Sequence, residues 1–225
     1  MMDRVYSIKE HVPENDMDFI AVAIGAVDKN QYHIGILHRQ EGKPPELLHL
    51  AWHYKLENES ALPADFSIWV KLNIPSSRQC SIAALCRRIW KKQNQSGIPY
   101  AFSSPEKSIN LPTGRYLLGP SRFGLTCASF VLAVFDSAAF PLAEYATWPS
   151  DRLEDRQWQE KIIESLKKGA SQEHIQHVQD EIGTVRYRPE EVAASAAFVP
   201  PAAIFKDAQE VGVKIASKMK QLSNL

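Results

Sequence analysis

YHIGILHR, residues 32–39, and ELLHLAWHYKL, residues 46–56, decide how this chain folds. In each, apolar residues alternate with others at the period of a β-strand, so that His33, Gly35 and Leu37 share one face of the first strand. Leu47, His49, Ala51, His53 and Lys55 share one face of the second. The connection between them is short, which makes the strands antiparallel neighbours. If residues 39–43 close the hairpin, His33 lies directly opposite His49, about 4.5–5.5 Å away between Cβ atoms. Gly35, two residues after His33, leaves room on that face for close approach of another element.

The same pattern extends outward. FIAVAIGAV (19–27) and FSIWVKLNI (66–74) read as further strands, bounded by Asn, Asp, Gly or Pro. After Pro75 the period changes. Ile82, Leu85, Cys86, Ile89 and Trp90 form one helical stripe, with Ser76 and Ser77 as candidate caps and Gly97 and Pro99 beyond its end. In GLTCASFVLAVFDSAAF (124–140) the apolar positions again keep helical spacing, and Thr126 is placed to cap a helix that starts at Cys127. From Ser150 the chain reads as helices over about 151–168, 171–182, a short one after Pro189, and 206–222, with the proline pair 200–201 as an interruption. The fold class is therefore α+β.

Composition narrows the function. The 225 residues carry 26 Lys+Arg and 26 Asp+Glu, so there is no basic surface for nucleic-acid phosphate or anionic lipid. The longest apolar run, Phe19 to Val27, falls far short of the roughly 20 residues of a membrane-spanning helix. The polar N-terminal stretch does not resemble a signal peptide. A cytoplasmic location is expected. The 3 cysteines, Cys80, Cys86 and Cys127, show neither a disulfide framework nor zinc-ligand spacing, and no cofactor is indicated. A reducing compartment is expected.

Among those thiols Cys127 stands out. At the first position of a capped helix, free N–H groups and the helix dipole favour a thiolate and offer donors for an oxyanion. This position predicts a lowered pKa and the fastest alkylation of the three. Cys80 is also near a helix start but has no histidine pair, and Cys86 falls on a buried stripe. His33 and His49 together supply what a thiol nucleophile needs, one imidazole as base and a second to fix its tautomer. As polar members of a half-solvated strand face they would need no such role, and that reading applies more strongly to His38 and His53. His174 and His177 read as surface residues of a polar helix.

His33-Ile34-Gly35-Ile36, followed by Leu48-His49-Leu50-Ala51 and then by the Cys127 helix, resembles the NlpC-like papain-fold peptidases in circularly permuted order. That branch includes permuted amidases and lecithin retinol acyltransferase-like proteins. Pro99-Tyr100 is similar to a tyrosine-bearing strand of those relatives. The resemblance spans about residues 19–140, although Ala-Ser-Phe follows the cysteine where some relatives have Ser-Glu or Glu-His. It implies a permuted papain-like catalytic domain over 1–148, an antiparallel sheet packed on the Cys127 helix, and a helical C-terminal extension over 149–225 packed on it. It further implies Cys127 as nucleophile, His33 as general base and acid, His49 as orienting residue, and Tyr100 as a helper for oxyanion or substrate. The activity implied is cysteine-dependent acyl transfer on a peptide, isopeptide-like or other amide, or on a thioester.

Three alternatives accompany this reading. One is an inactive papain-fold interaction module, and another is a lipid acyltransferase or thioesterase. The third, a metal hydrolase, would need His49 and His53 with Glu46 or Glu57, but two strand residues four apart are about 13 Å apart, too far for one ion. Trp148 and Trp158, near the start of the C-terminal helical region, suit either a protein-partner surface or a core.

Overall fold

The computed structural model describes residues 1–8, 20–28, 31–40, 42–60, 63, 65–117, 124–198 and 202–223. Phe19 and the proline pair 200–201 lie outside the described residues. Six strands, β1 (Val5–Ser7), β2 (Ile20–Asp28), β3 (Gln31–His38), β4 (Glu46–Trp52), β5 (Lys55–Glu59) and β6 (Phe66–Lys71), form one open antiparallel sheet. Their order is β1-β6-β2-β3-β4-β5. The described residues also form six α-helices: α1 (Ser76–Gln93), α2 (Cys127–Ser137), α3 (Leu153–Leu166), α4 (Gln172–Asp180), α5 (Pro189–Ala196) and α6 (Phe205–Ser223).

Alternation along the strands divides the sheet into two faces. Ile24, Ile34, Ile36, Leu48, Leu50, Ile68 and Val70 belong to the large core shared with the helices, whereas Ala23, Leu37, Leu47, Phe66 and Trp69 form a smaller cluster. Helix α2 packs on β3 and β4, and α5 on β2, β3 and β6. Residues from before and after position 148 therefore share one core. Phe130 and Phe135 of α2 are fully buried in it, each contributing roughly 1.5–3 kcal/mol by removal from water. Lys218 Nζ of α6 donates to the carbonyl oxygen of Val5 at 3.2 Å, bringing the last helix back to the first strand.

Two expectations are corrected at the hairpin. The β3–β4 ladder pairs Ile36 with Leu48 and His38 with Glu46, so the connection is residues 39–45 and His33 is not directly opposite His49. A shift of two residues preserves the face of every side chain, because the strand period is two. The second strand also ends earlier than its pattern suggests. The chain reverses at His53-Tyr54, Tyr54 takes a left-handed φ of 58°, and Lys55 begins β5 instead of continuing β4. His53 consequently falls in the turn, outside the strand that carries His49.

The helix starts differ from each other. Ser76 and Ser77 do not cap α1, whose N-cap is Pro75 without a side-chain bond. Thr126 does cap α2: its hydroxyl accepts from Ser129 N at 3.1 Å, and Ser129 Oγ accepts from Thr126 N at 2.8 Å. Such reciprocal caps satisfy two otherwise unpaired donors, and the loss of one costs typically about 1 kcal/mol.

Candidate functional site

Strands β3, β4 and β5 carry a chain of polar side chains across one face of the sheet. His33 Nε2 lies 2.7 Å from His49 Nδ1, and His49 Nε2 lies 2.9 Å from Glu59 Oε1. Glu57, directly opposite His49 in the β4–β5 ladder, places Oε2 at 3.6 Å from the same nitrogen and is held by Lys55 Nζ at 2.8 Å. Phe66 meets both imidazole rings edge-on, with centroids 5.7 Å away. Burial, helped by the neighbouring His49, pushes His33 down from 6.5 to about 3, so its ring is neutral at physiological pH.

Cys127 approaches where β3 and β4 separate. The ladder between these strands covers only Ile36–His38 against Glu46–Leu48, which leaves the backbone near His33 free of it. Hydrogen bonding from the backbone at Ile34 reaches the Cys127 sulfur and favours the thiolate, as do the positive charge of Arg186 and the backbone at Ala128 and Cys127. Burial outweighs them all and pushes the thiol up from 9.0 to about 11. This corrects the expectation of a lowered pKa: a helix start cannot offset the desolvation of a residue that is only 6% exposed. The fastest alkylation is likewise not expected here, because Cys80 is exposed whereas Cys86 and Cys127 are buried.

Cys127 and His33 line one cavity of about 180 Å³, together with Tyr100, Trp52, Trp158 and Arg186. No hydrogen bond joins the sulfur to the His33 ring among the described residues, and burial holds the thiol and the imidazole each in its neutral form. Tyr100 is 4% exposed, and burial holds its phenol well above the ordinary value of 10, so it remains an O–H donor. Its segment is not a strand. Instead its peptide is gripped at both polar atoms: Tyr100 N donates to His53 Nδ1 at 3.1 Å, and His174 Nε2 donates to Tyr100 O at 2.9 Å.

His174 is thereby corrected from surface to core, at 2% exposure. His53, pushed down to about 4 by burial and by His174, belongs to this grip and not to a strand face or a metal site. His38 is also buried, with Nε2 2.8 Å from Asn58 Oδ1. Trp148 is core at 5% exposure, and Trp158 serves the cavity.

Arg186, Trp158 and Glu59 are the site residues that sequence reasoning missed. The Arg186 guanidinium sits 3.9 Å above the centre of the Trp158 ring and donates through Nη1 to Asp155 Oδ1 at 3.0 Å. It lies in the run RYRP between two helices, where no spacing points toward Cys127. Pairing β5 back on β4 through the turn at residues 53–54 is the signal that brings Glu59 to His49.

Of the described residues, His49, Glu57 and Glu59 are the one group whose donor atoms could surround a metal ion, all lying within 4.8 Å of one another. These atoms already have His33, Lys55 and each other as partners, and we read them as a hydrogen-bonded chain. No helix among the described residues is long and apolar enough to cross a membrane. Comparison with family models, curated proteins and solved structures finds no match.

Proposed function

We propose that the protein is a cysteine-dependent acyl-transfer enzyme, with Cys127 as nucleophile, His33 as base and acid, and His49 orienting His33. The observation that carries this reading is the shared cavity wall: a thiol at a capped helix start and a neutral imidazole backed by a second one. The order of two histidine strands followed by the cysteine helix is that of the permuted papain-like arrangement, which forms part of the proposal.

In this mechanism the Cys127 sulfur attacks a carbonyl carbon while its proton passes to His33. The resulting oxyanion is met by backbone N–H groups at the start of α2 and by the Tyr100 hydroxyl. Collapse breaks the bond to the leaving amine or thiol, which takes the proton from His33. Water then attacks the thioester, giving its proton to His33, and the acid departs as Cys127 recovers its hydrogen. Because the thiol and imidazole start neutral, the proton moves during attack and not beforehand. The cavity of about 180 Å³ fits a small acyl group better than a lipid chain.

The buried thiol, raised to about 11, also favours a second reading in which the fold serves as an interaction module without turnover. A Cys80→Ser variant incubated with short-chain acyl thioesters separates the two. Acyl transfer predicts a mass increase confined to Cys127 that disappears in His33→Ala. Absence of acylation at Cys127 across a panel of small amides and thioesters overturns the enzymatic reading.

A further inference from the structure

The polar chain on the sheet does more than pack the two histidines. We infer that Glu59 fixes the tautomer of His33, acting through His49 as a positioning residue for the base named above. The inference rests on the acyl-transfer reading for its consequence, but its geometry stands independently.

The argument runs inward from the carboxylate. A carboxylate oxygen only accepts hydrogen bonds, so at 2.9 Å from Glu59 Oε1 the His49 Nε2 atom must carry the hydrogen. Glu57 Oε2, at 3.6 Å from that nitrogen, reinforces the same choice. With one hydrogen on its ring, His49 then presents a lone pair at Nδ1. That lone pair lies 2.7 Å from His33 Nε2, which must be the donor in turn. His33 is neutral, so its remaining nitrogen, Nδ1, is left unprotonated. This is the atom a base needs, on a ring that lines the Cys127 cavity.

The opposite tautomers would set the His49 Nε2 lone pair against the carboxylate oxygens. They would also place a hydrogen on the His33 nitrogen that has to receive the thiol proton. Glu59 is half-exposed whereas His49 is buried, so the chain runs from a carboxylate at the surface to the base in the cavity. No atom of Glu59 is required to touch substrate.

Imidazole nitrogen spectra of the 15N-labelled full chain at neutral pH test this directly. The expected result for the wild type is a protonated Nε2 and an unprotonated Nδ1 at both His33 and His49. Glu57→Ala/Glu59→Ala, which removes both acceptors, is expected to mix the tautomers of both rings and to slow Cys127 alkylation in a Cys80→Ser background on the order of tenfold. Glu59→Gln keeps an acceptor oxygen and is expected to restore the wild-type tautomers, a rescue that loss of packing alone would not give. A wild-type His33 protonated at Nδ1, or tautomers unmoved in the double variant, overturns the role of Glu59. Correct tautomers with alkylation indifferent to His33→Ala would instead sink the acyl-transfer reading while leaving Glu59 as the group that orders the histidines.

Discussion

A methyl group on Gly35 would stand 2.8 Å from Cβ of His49. The glycine after His33 thus gives its space to the second histidine of the pair. Leu47 Cδ1 at 2.9 Å and Leu48 O at 3.1 Å close the remaining directions. Gly35→Ala is expected to displace His49 from His33, destabilising the fold by roughly 1–3 kcal/mol as an overpacked site does. Denaturant unfolding measures that loss, and histidine nitrogen spectra should show the 2.7 Å contact broken. Unchanged stability and spectra would mean that the strands part without cost.

Stability should fall in acid partly because of His33. Its folded pKa is about 3 against an ordinary 6.5, so between those values the unfolded chain takes up a proton that the folded one refuses. The unfolded state binds more protons there, and stability rises with pH across that window. At about 1.4 kcal/mol per pH unit the full effect is on the order of 5 kcal/mol. His53, at about 4, acts in the same direction with a smaller share because it is more exposed. His33→Gln should flatten the slope of unfolding free energy between pH 3 and 6.5, and an unchanged slope would contradict the burial assigned to this ring.

Thiol chemistry offers a second pH experiment. With Cys80 replaced by Ser, iodoacetamide labelling of Cys127 should continue to accelerate up to about pH 11, beyond the point near 9.0 where an ordinary thiol levels off. Arg186→Met removes a positive charge that lowers this pKa and should move the midpoint higher. A midpoint below 9.0 in the parent variant would show that the helix start and Arg186 together outweigh burial.

Asp155 carries much of the C-terminal wall of the cavity. It is 2% exposed, accepts from Arg186 at 3.0 Å and Arg188 at 2.8 Å on Oδ1, and forms an ion pair with Arg152 through Oδ2. Removing one partner of a buried pair leaves uncompensated charge, so Asp155→Ala should cost about 3–5 kcal/mol. Thermal and denaturant unfolding should register it together with loss of the Arg186 stack on Trp158, visible in tryptophan fluorescence. A variant as stable as the parent would show that the three guanidinium groups find other acceptors.

The parts of the fold legible in the sequence are those with uninterrupted periods. The His33 and His49 strands announce themselves by alternation, and even a two-residue error in register keeps both histidines on one face. Thr126 and the stripe behind it place Cys127 at a helix start. What was hidden had no local mark. The turn at His53-Tyr54 contains no Gly, Pro or Asn, so β4 and β5 read as a single strand and Glu59 was separated from His49. Burial of His174 depends on α4 packing over the Tyr100 peptide, a tertiary event invisible in a polar helix. Arg186 enters the Cys127 cavity from a segment far along the chain, held by Trp158 and Asp155 of a helix whose sequence carries no mark of that role.

The contact of Lys218 with the Val5 carbonyl bears on how such a molecule can be encoded. With these two regions touching, a short bridge between them and a cut at a surface loop elsewhere would preserve nearly every contact in space. Among the described residues, the first strand and the last helix are neighbours in space although 213 positions separate Val5 from Lys218.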